Sequence, residues 1–321
     1  MNFDRLKIVE RHVINQDVLK LKIGELARGL VPNVYFKIDE GPDLNLVEVD
    51  GQSFLDFLKT FCKEHNIDQN KILIESDNLA QVKVWPNYIK HFNSRPFLYA
   101  NEIEHTPIKD IQKKFGMFIG GARWPRLLLM SSLYKKHSKD ALLTFNHTNF
   151  DVKHYLGAIP KQYHGDIHEL YHSLPLTLSA EPYKNGYINF DKACDELLPY
   201  YNRIFMDVVC ETWHEGQCFL PTEKTARPIK SQTPFVVYGP KHYLKNLRKL
   251  GFKTFDKFWS EDYDQHEGTD RIKMIIEIVN DICGRDLDQL QTLYADMTDV
   301  CDHNASVLAD LDGDKILRTF L

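Results

Sequence analysis

The sequence predicts an α/β protein made of two halves of one type, each a parallel sheet flanked by helices, with further helices closing the chain. Three observations predict it. Short apolar runs alternate with stretches of helical period over the first third of the chain. The same alternation restarts at "KKFGMFIG", and from Thr269 onward the helical period dominates. With 321 residues there is material for two domains of ordinary size. Apolar residues make up 43% and charged ones 26%, which excludes a disordered chain.

In the first half, "NVYFKI" and "NLVEV" read as short strands. "DGQSFLDFLKTFCKEHNI" reads as a helix, because Phe54, Phe57, Leu58 and Phe61 recur at helical spacing. "KILIES" follows as a buried strand, so strand, helix and strand form a βαβ unit. "YIKHFNSRPFLYANEIEHTPIKD" is mixed, and Pro96 and Pro107 break any long helix in it. The domain boundary is expected there, giving 1–108 and 109–321.

In the second half, "FGMFIG" is a buried strand, Gly120-Gly121 a turn, and a helix runs from Arg126. "DALLTFNH" is the next strand, and "YYNRIFMDVVCETW" holds another apolar element. "TPFVVYG" is a strand and "PKHYLKNLRKLG" a helix. Leu244, Leu247 and Leu250 share one side of it, and Gly251 is placed to stop it in a left-handed conformation. "FKTFDKF" reads as extended. "TDRIKMIIEIVNDI" and "RDLDQLQTLYADMTDVCDHNASVL" are closing amphipathic helices.

No stretch approaches the ~18 consecutive apolar residues of a membrane span. "MNFDRLKIVERHV" has no apolar core after its charges, so export is not expected. Cys62, Cys194, Cys210, Cys218, Cys283 and Cys301 have no short repeating spacing, which points to reduced thiols in a cytoplasm. The sequons at Asn146 and Asn304 then carry no glycan. The net charge of −5 is unevenly spread. From Glu223 to Lys257 there are nine Lys/Arg against two acids, and from Glu261 to Asp314 fifteen acids against three Lys/Arg. That pattern suits a focused anion site, or two segments of opposite charge facing each other.

Two stretches could carry chemistry. In "GGARWPR" a glycine turn leads into a helix, where backbone N–H groups and the helix dipole favour an anion. Arg123 and Arg126 add full charges suited to bidentate phosphate contact, and Gly121 lets the backbone approach. The same arginines would serve a surface turn paired with carboxylates. No dinucleotide or Walker spacing is present. In "PTEKTARPIKSQTPFVVYG", Thr222 is an N-cap for a short helix that Pro234 ends. Glu223 could accept from vicinal sugar hydroxyls, and Lys224 and Arg227 could neutralise a diphosphate. An exposed helix start with a local charge array would look the same.

The run "FLPTEKTARPIKSQTPFVVYGPKHYLKNLRKLGFKTF" resembles the donor-binding segment of α1,3-fucosyltransferases, which share the T-E-K step, a later Pro before an apolar strand, and a Gly at its end. It is still more similar to glycosyltransferase-like proteins of bacteriophages and marine microbes. In that group T-E-K, P-F, the "LKxLRxLGFKTF" run and a following "ExYD" recur, the last matched by "SEDYD" at Ser260–Asp264. "GARWPR" matches the arginines of the group's Asn-Arg-x-x-Arg turn but not its Asn, and "LYADMTDVCDHN" resembles its closing helix. The resemblance covers roughly residues 111 to 310 and is strongest over 219 to 264. It implies a GT-B-like fold: two Rossmann-like domains facing each other across a cleft. Residues 1–108 would lie on the acceptor side and 109–321 would bind the nucleotide sugar. It also implies a donor substrate of nucleotide-diphosphate sugar, with no cofactor and no metal, because cations stabilise the departing diphosphate. By motif position Arg123 and Lys224 become phosphate contacts and Glu223 a ribose or sugar contact, with Arg126 and Arg227 ranking below them.

Transfer with inversion needs a carboxylate to deprotonate the acceptor hydroxyl. The fucosyltransferases keep theirs after a strand of the first domain, and "KILIESDN" puts Glu75 and Asp77 at such a strand end. Asp77-Asn78 is also ordinary turn chemistry; Glu102 and Glu104 are the next choices. Two other signals are set aside. Cys210, His214 and Cys218 would share a helical face only if a helix ran through Gly216, and three ligands are few for zinc. "DLDGD" lacks the Gly and distal Glu of a calcium loop and reads as a solvated turn.

The leading expectation is therefore a cytoplasmic glycosyltransferase (host cytoplasm if the chain is viral) acting on a glycan or other hydroxylated acceptor. A hydroxymethylated base of phage DNA is an alternative acceptor, though "LKIVERHVINQDVLKLKIGELARGL" interleaves its cations with acids. A non-catalytic binding protein of the same fold is the alternative from another class.

Overall fold

Apolar periodicity builds two parallel sheets. The computed structural model describes residues 4–7, 9–10, 13–38, 42–81, 83–93, 95–145, 150–178 and 190–321, with side chains outside 4–14, 95 and 190–195. These residues divide into two compact units: one formed by 1–93, 215–220 and 312–321, the other by 94–214 and 221–311. Where a single boundary after residue 108 was expected, the chain leaves the first unit after Asn93 and returns to it twice.

In the first unit, β1 (Asp4–Lys7), β2 (Val34–Ile38), β3 (Ile72–Ser76) and β4 (Tyr88–Lys90) lie side by side in chain order, all parallel. Helices α1 (Gln16–Ala27) and α2 (Phe54–Glu64) supply Leu19, Ile23, Phe54, Leu58 and Cys62 to a core with Phe36, Ile38, Ile72 and Ile74. Asn15 and Ser53 cap the two helices, each side chain accepting from the amide three residues on. "NLVEV" yields only the two-residue strand Glu48–Val49, paired antiparallel with Gln52–Ser53. Asp50 and Gly51 turn between them with positive φ.

The second unit has strands β5 (Lys113–Ile119), β6 (Ala141–Phe145), β7 (Ile204–Cys210) and β8 (Phe235–Tyr238), all parallel in the order β6–β5–β7–β8. Strands β6, β7 and β8 are buried along their whole length, as a parallel sheet covered on both faces requires. The helices used below are α3 (Trp124–His137), α4 (Glu223–Lys230), α5 (Tyr243–Lys249), α6 (Gly268–Cys283), α7 (Leu287–Asp310) and, in the first unit, α8 (Gly313–Phe320). The protein is thus mixed α/β with two parallel four-stranded sheets.

One local expectation changes, and the two signals set aside in the sequence stay set aside. "FKTFDKF" forms no strand; instead the buried Asn304 of α7 holds Lys253 through both backbone groups, at 2.8 and 2.9 Å. Cys210 ends β7 and no helix links it to His214 and Cys218, so the shared helical face does not exist. "DLDGD" is a helix junction: α7 ends at Asp310, and Asp312 caps α8 by accepting from Lys315 N at 2.7 Å. Gly251 does stop α5 at φ +94, with Gly251 N–H donating to Arg248 O and Phe252 N–H to Leu247 O.

Candidate functional site

The strand order of the second sheet singles out one place. After β5 the chain moves to β6 on one side and then crosses to β7 on the other, so neighbouring strands β5 and β7 diverge into different connections. In open α/β sheets ligands bind outside the carboxyl ends of the strands at such a switch point. The segments leaving β5 and β7 there are Gly120–Arg123 and Glu211–His214. Both sequence-predicted stretches converge on the second of these.

Gly120 and Gly121 leave open space, since a Cβ added to either meets no atom within 4 Å. Arg123 sits at the N-cap of α3 in extended conformation, its guanidinium 6.0 Å from the Trp213 ring centroid. Such stacking helps to hold a cation in place. Arg126 has a different task. It is buried and donates to Gly121 O at 3.1 Å, Glu211 O at 3.0 Å and Cys210 O at 3.4 Å. It ties the turn after β5 to the end of β7, and burial pushes its guanidinium below the usual range.

On the other side, Thr222 caps α4 as expected, accepting from Lys224 N at 3.4 Å. Its own hydroxyl donates to Glu211 Oε2 at 2.7 Å. Glu211 is a buried carboxylate that the sequence reading passed over. Its Oε1 also accepts from Thr222 N (3.2 Å), Thr225 Oγ1 (2.7 Å) and Tyr243 OH (2.9 Å), and Oε2 from Thr212 N (3.2 Å). Lys224 Nζ lies 2.6 Å from Glu223 Oε1, 3.3 Å from Thr222 Oγ1 and 3.4 Å from Thr212 Oγ1. Burial raises the Glu223 carboxyl pKa, but the Lys224 and Arg227 cations outweigh it and leave the group below its usual range. Arg227 is buried and acts on Asp207 inside the unit as well as on Glu223. The loop 211–214 is therefore touched by Arg123 and Arg126 from one stretch and by Thr222 and Lys224 from the other.

His214 lies edge-on to Trp124, centroids 6.0 Å apart, and 5.9 Å from the Tyr238 ring. An aromatic cluster thus stands beside the cations at the carboxyl edge of β5, β7 and β8. The "SEDYD" residues are supports. Asp264 accepts from Leu244 N and Lys245 N at the start of α5 and pairs with the fully buried Arg271 at 3.2 Å. Glu261 pairs with Arg248, joining the basic and acidic segments at one point.

In the first unit Glu75 is the last residue but one of β3 and Asp77 follows the strand, both at the carboxyl edge of that sheet. Glu75 Oε1 is 3.2 Å from Nδ1 of His91, which follows β4 and had given no sequence signal. Asp77 is buried at 3% exposure. The side chain of its neighbour Asn78 makes four bonds, donating to Pro42 O and Gln217 O and accepting from Ala80 N and Phe219 N. Glu102 and Glu104 are exposed and lie beyond Asn93, in the second unit. Among the described residues no group of three or more His, Cys, Asp or Glu is placed to hold a metal ion, and no helix is long and apolar enough to cross a membrane. No family model matches the chain, and no curated protein matches it.

Proposed function

We propose that the chain is a glycosyltransferase of GT-B type, moving a sugar from a nucleotide-diphosphate sugar to an acceptor hydroxyl in the cytoplasm. The observation that carries the reading is the convergence of Arg123 and Lys224 on the one loop, 211–214, at the switch point of the second sheet. A diphosphate bound there would meet two cations and the start of α4, and the departing charge would be stabilised without a metal. Glu223, held ionised by Lys224 and Arg227, is an acceptor for ribose or sugar hydroxyls. In the reaction the acceptor oxygen attacks the anomeric carbon, and the sugar–diphosphate bond breaks with its electron pair leaving on the diphosphate. The acceptor proton passes to a base, which we assign to Glu75 or Asp77 at the carboxyl edge of the first sheet.

Thermal stabilisation by GDP, UDP, CMP, ADP and dTDP, each with and without magnesium, tests the reading. A ligand at ~100 times its Kd adds roughly 2.7 kcal/mol. One clear responder supports a donor site and names its base; a shift only with magnesium overturns the metal-free part. No responder makes the non-catalytic reading the better one. With a responder in hand, Lys224→Ala and Arg123→Ala should each raise Kd about tenfold, the scale of one lost charge-assisted contact, with the fold intact. Glu75→Gln or Asp77→Asn should abolish turnover with donor binding kept, and unchanged turnover in both removes the proposed base. Glycans and DNA containing hydroxymethylated bases, offered as acceptors, separate the two acceptor classes.

A further inference from the structure

Glu211 touches neither of the charged motifs' cations through its side chain, yet it holds the residues that place one of them. Its carboxylate receives five donors, all from backbone N–H groups and hydroxyls: Thr212 N, Thr222 N, Thr222 Oγ1, Thr225 Oγ1 and Tyr243 OH. A hydroxyl has one proton to give. Thr222 gives its proton to Glu211, so its lone pairs are left for Lys224 N at 3.4 Å and Lys224 Nζ at 3.3 Å. Thr212, whose amide is held by the other end of the same relay, presents Oγ1 to Lys224 Nζ at 3.4 Å.

We infer that Glu211 is a positioning residue: through Thr222 and Thr212 it fixes the Lys224 ammonium at the switch point, so that the cation is in place before an anion arrives. This rests on the reading of Lys224 as a diphosphate contact. A neutral amide in the same place cannot satisfy the arrangement. Whichever way Glu211→Gln turns its amide, an N–H faces a donor. If that donor is Thr222, its hydroxyl must rotate, and its lone pairs then serve the amide rather than Lys224. The ammonium would then be held by Glu223 and by a Thr212 no longer fixed through the carboxylate, without Thr222.

The test is a double-mutant cycle read by calorimetric titration of the nucleoside diphosphate that stabilises the protein, with inorganic pyrophosphate as second probe. Glu211→Gln should raise Kd about tenfold in the natural background, the size of a lost hydrogen bond to a charged group, and should cause no further loss in Lys224→Ala. An equal loss in both backgrounds would show that Glu211 acts on the fold alone and would overturn the inference. If Glu211→Gln does not fold, Thr222→Val takes its place in the same cycle, cutting the relay while leaving Thr212, Thr225 and Tyr243 on the carboxylate.

If no nucleoside diphosphate or pyrophosphate binds, the reading of the site fails by itself. The positioning role is then decided on the free protein by acetic anhydride labelling. Lys224 should acetylate severalfold faster in Glu211→Gln, relative to the exposed Lys245 in the same sample. An unchanged ratio would sink it.

Discussion

Two arginines three residues apart do different work, and the difference is burial. Arg126 has its guanidinium enclosed and shared among three carbonyls, whereas Arg123 lies half-buried on the face of Trp213. Arg126→Met should therefore lower stability by about 3 kcal/mol, because two buried carbonyls and a half-buried one lose a charged donor. Arg123→Ala should leave the melting temperature near that of the natural chain. Comparing the two unfolding curves checks this, and an unaltered Arg126→Met curve would contradict the clamp. The ranking of Arg123 above Arg126 came from motif position, and nothing in "GARWPR" itself separates them. Sequence shows a side chain's type and its near neighbours; the carbonyls of Cys210 and Glu211 come from the end of β7 and the loop after it, more than eighty residues away. Glu211 escaped notice for the same reason, since its partners come from three separate segments and "CETW" has no local pattern.

At the scale of elements most of the chain was legible. Strands β2, β3, β5, β6 and β8 and helices α2, α3, α5, α6 and α7 lie where apolar period and caps put them, because each is fixed mainly by its own residues. What failed was structure fixed from a distance: "FKTFDKF" is held by Asn304 rather than by a sheet neighbour. Glycine gives a further test. Gly251→Ala should cost about 1 kcal/mol, since φ +94 strains a Cβ but the nearest atom stands 3.8 Å away. Gly216→Ala should cost more. There a Cβ at φ +69 would come 2.6 Å from Leu46 Cδ1 and 2.7 Å from Asp43 Oδ2, and Asp43 is also the acceptor for Gln217 N. Urea denaturation of both variants checks the order; a milder Gly216→Ala would refute it.

For the whole molecule, the buried Asp207 sets a pH dependence. Burial pushes the Asp207 carboxyl up to about 7, against the pull of Arg227, Tyr201 and Lys109. Burial likewise brings the Lys109 ammonium down to about 7; the residue is half-exposed, but its charged end is enclosed by Tyr201 O, Ile204 O and Thr233 Oγ1. Between the ordinary carboxyl pKa of 3.8 and about 7 the folded chain keeps a proton on Asp207 that the unfolded chain releases. This contribution to stability is full at the acid end of that window and fades as pH rises through it. Asp207→Asn, which keeps an acceptor for Tyr201, should flatten the slope there. Denaturant midpoints measured at steps across the window decide it, an unaltered slope going against the buried acid. A second expectation concerns the divided first unit. Phe320 packs on Phe219 with ring centroids 5.3 Å apart, and its carbonyl accepts from Lys90 Nζ at 2.8 Å. Removing residues 312–321 should speed amide exchange in β3 and β4 and leave β5 to β8 unaffected; equal loosening of both sheets would show that the tail serves the molecule generally. The same division has a consequence for synthesis on the ribosome. The first sheet emerges early, but residues 215–220 and 312–321, which complete its unit, are translated after most of the second sheet. The unit begun first is thus completed only after most of the other has been made, and it lacks part of its own chain until residues 312–321 have left the ribosome.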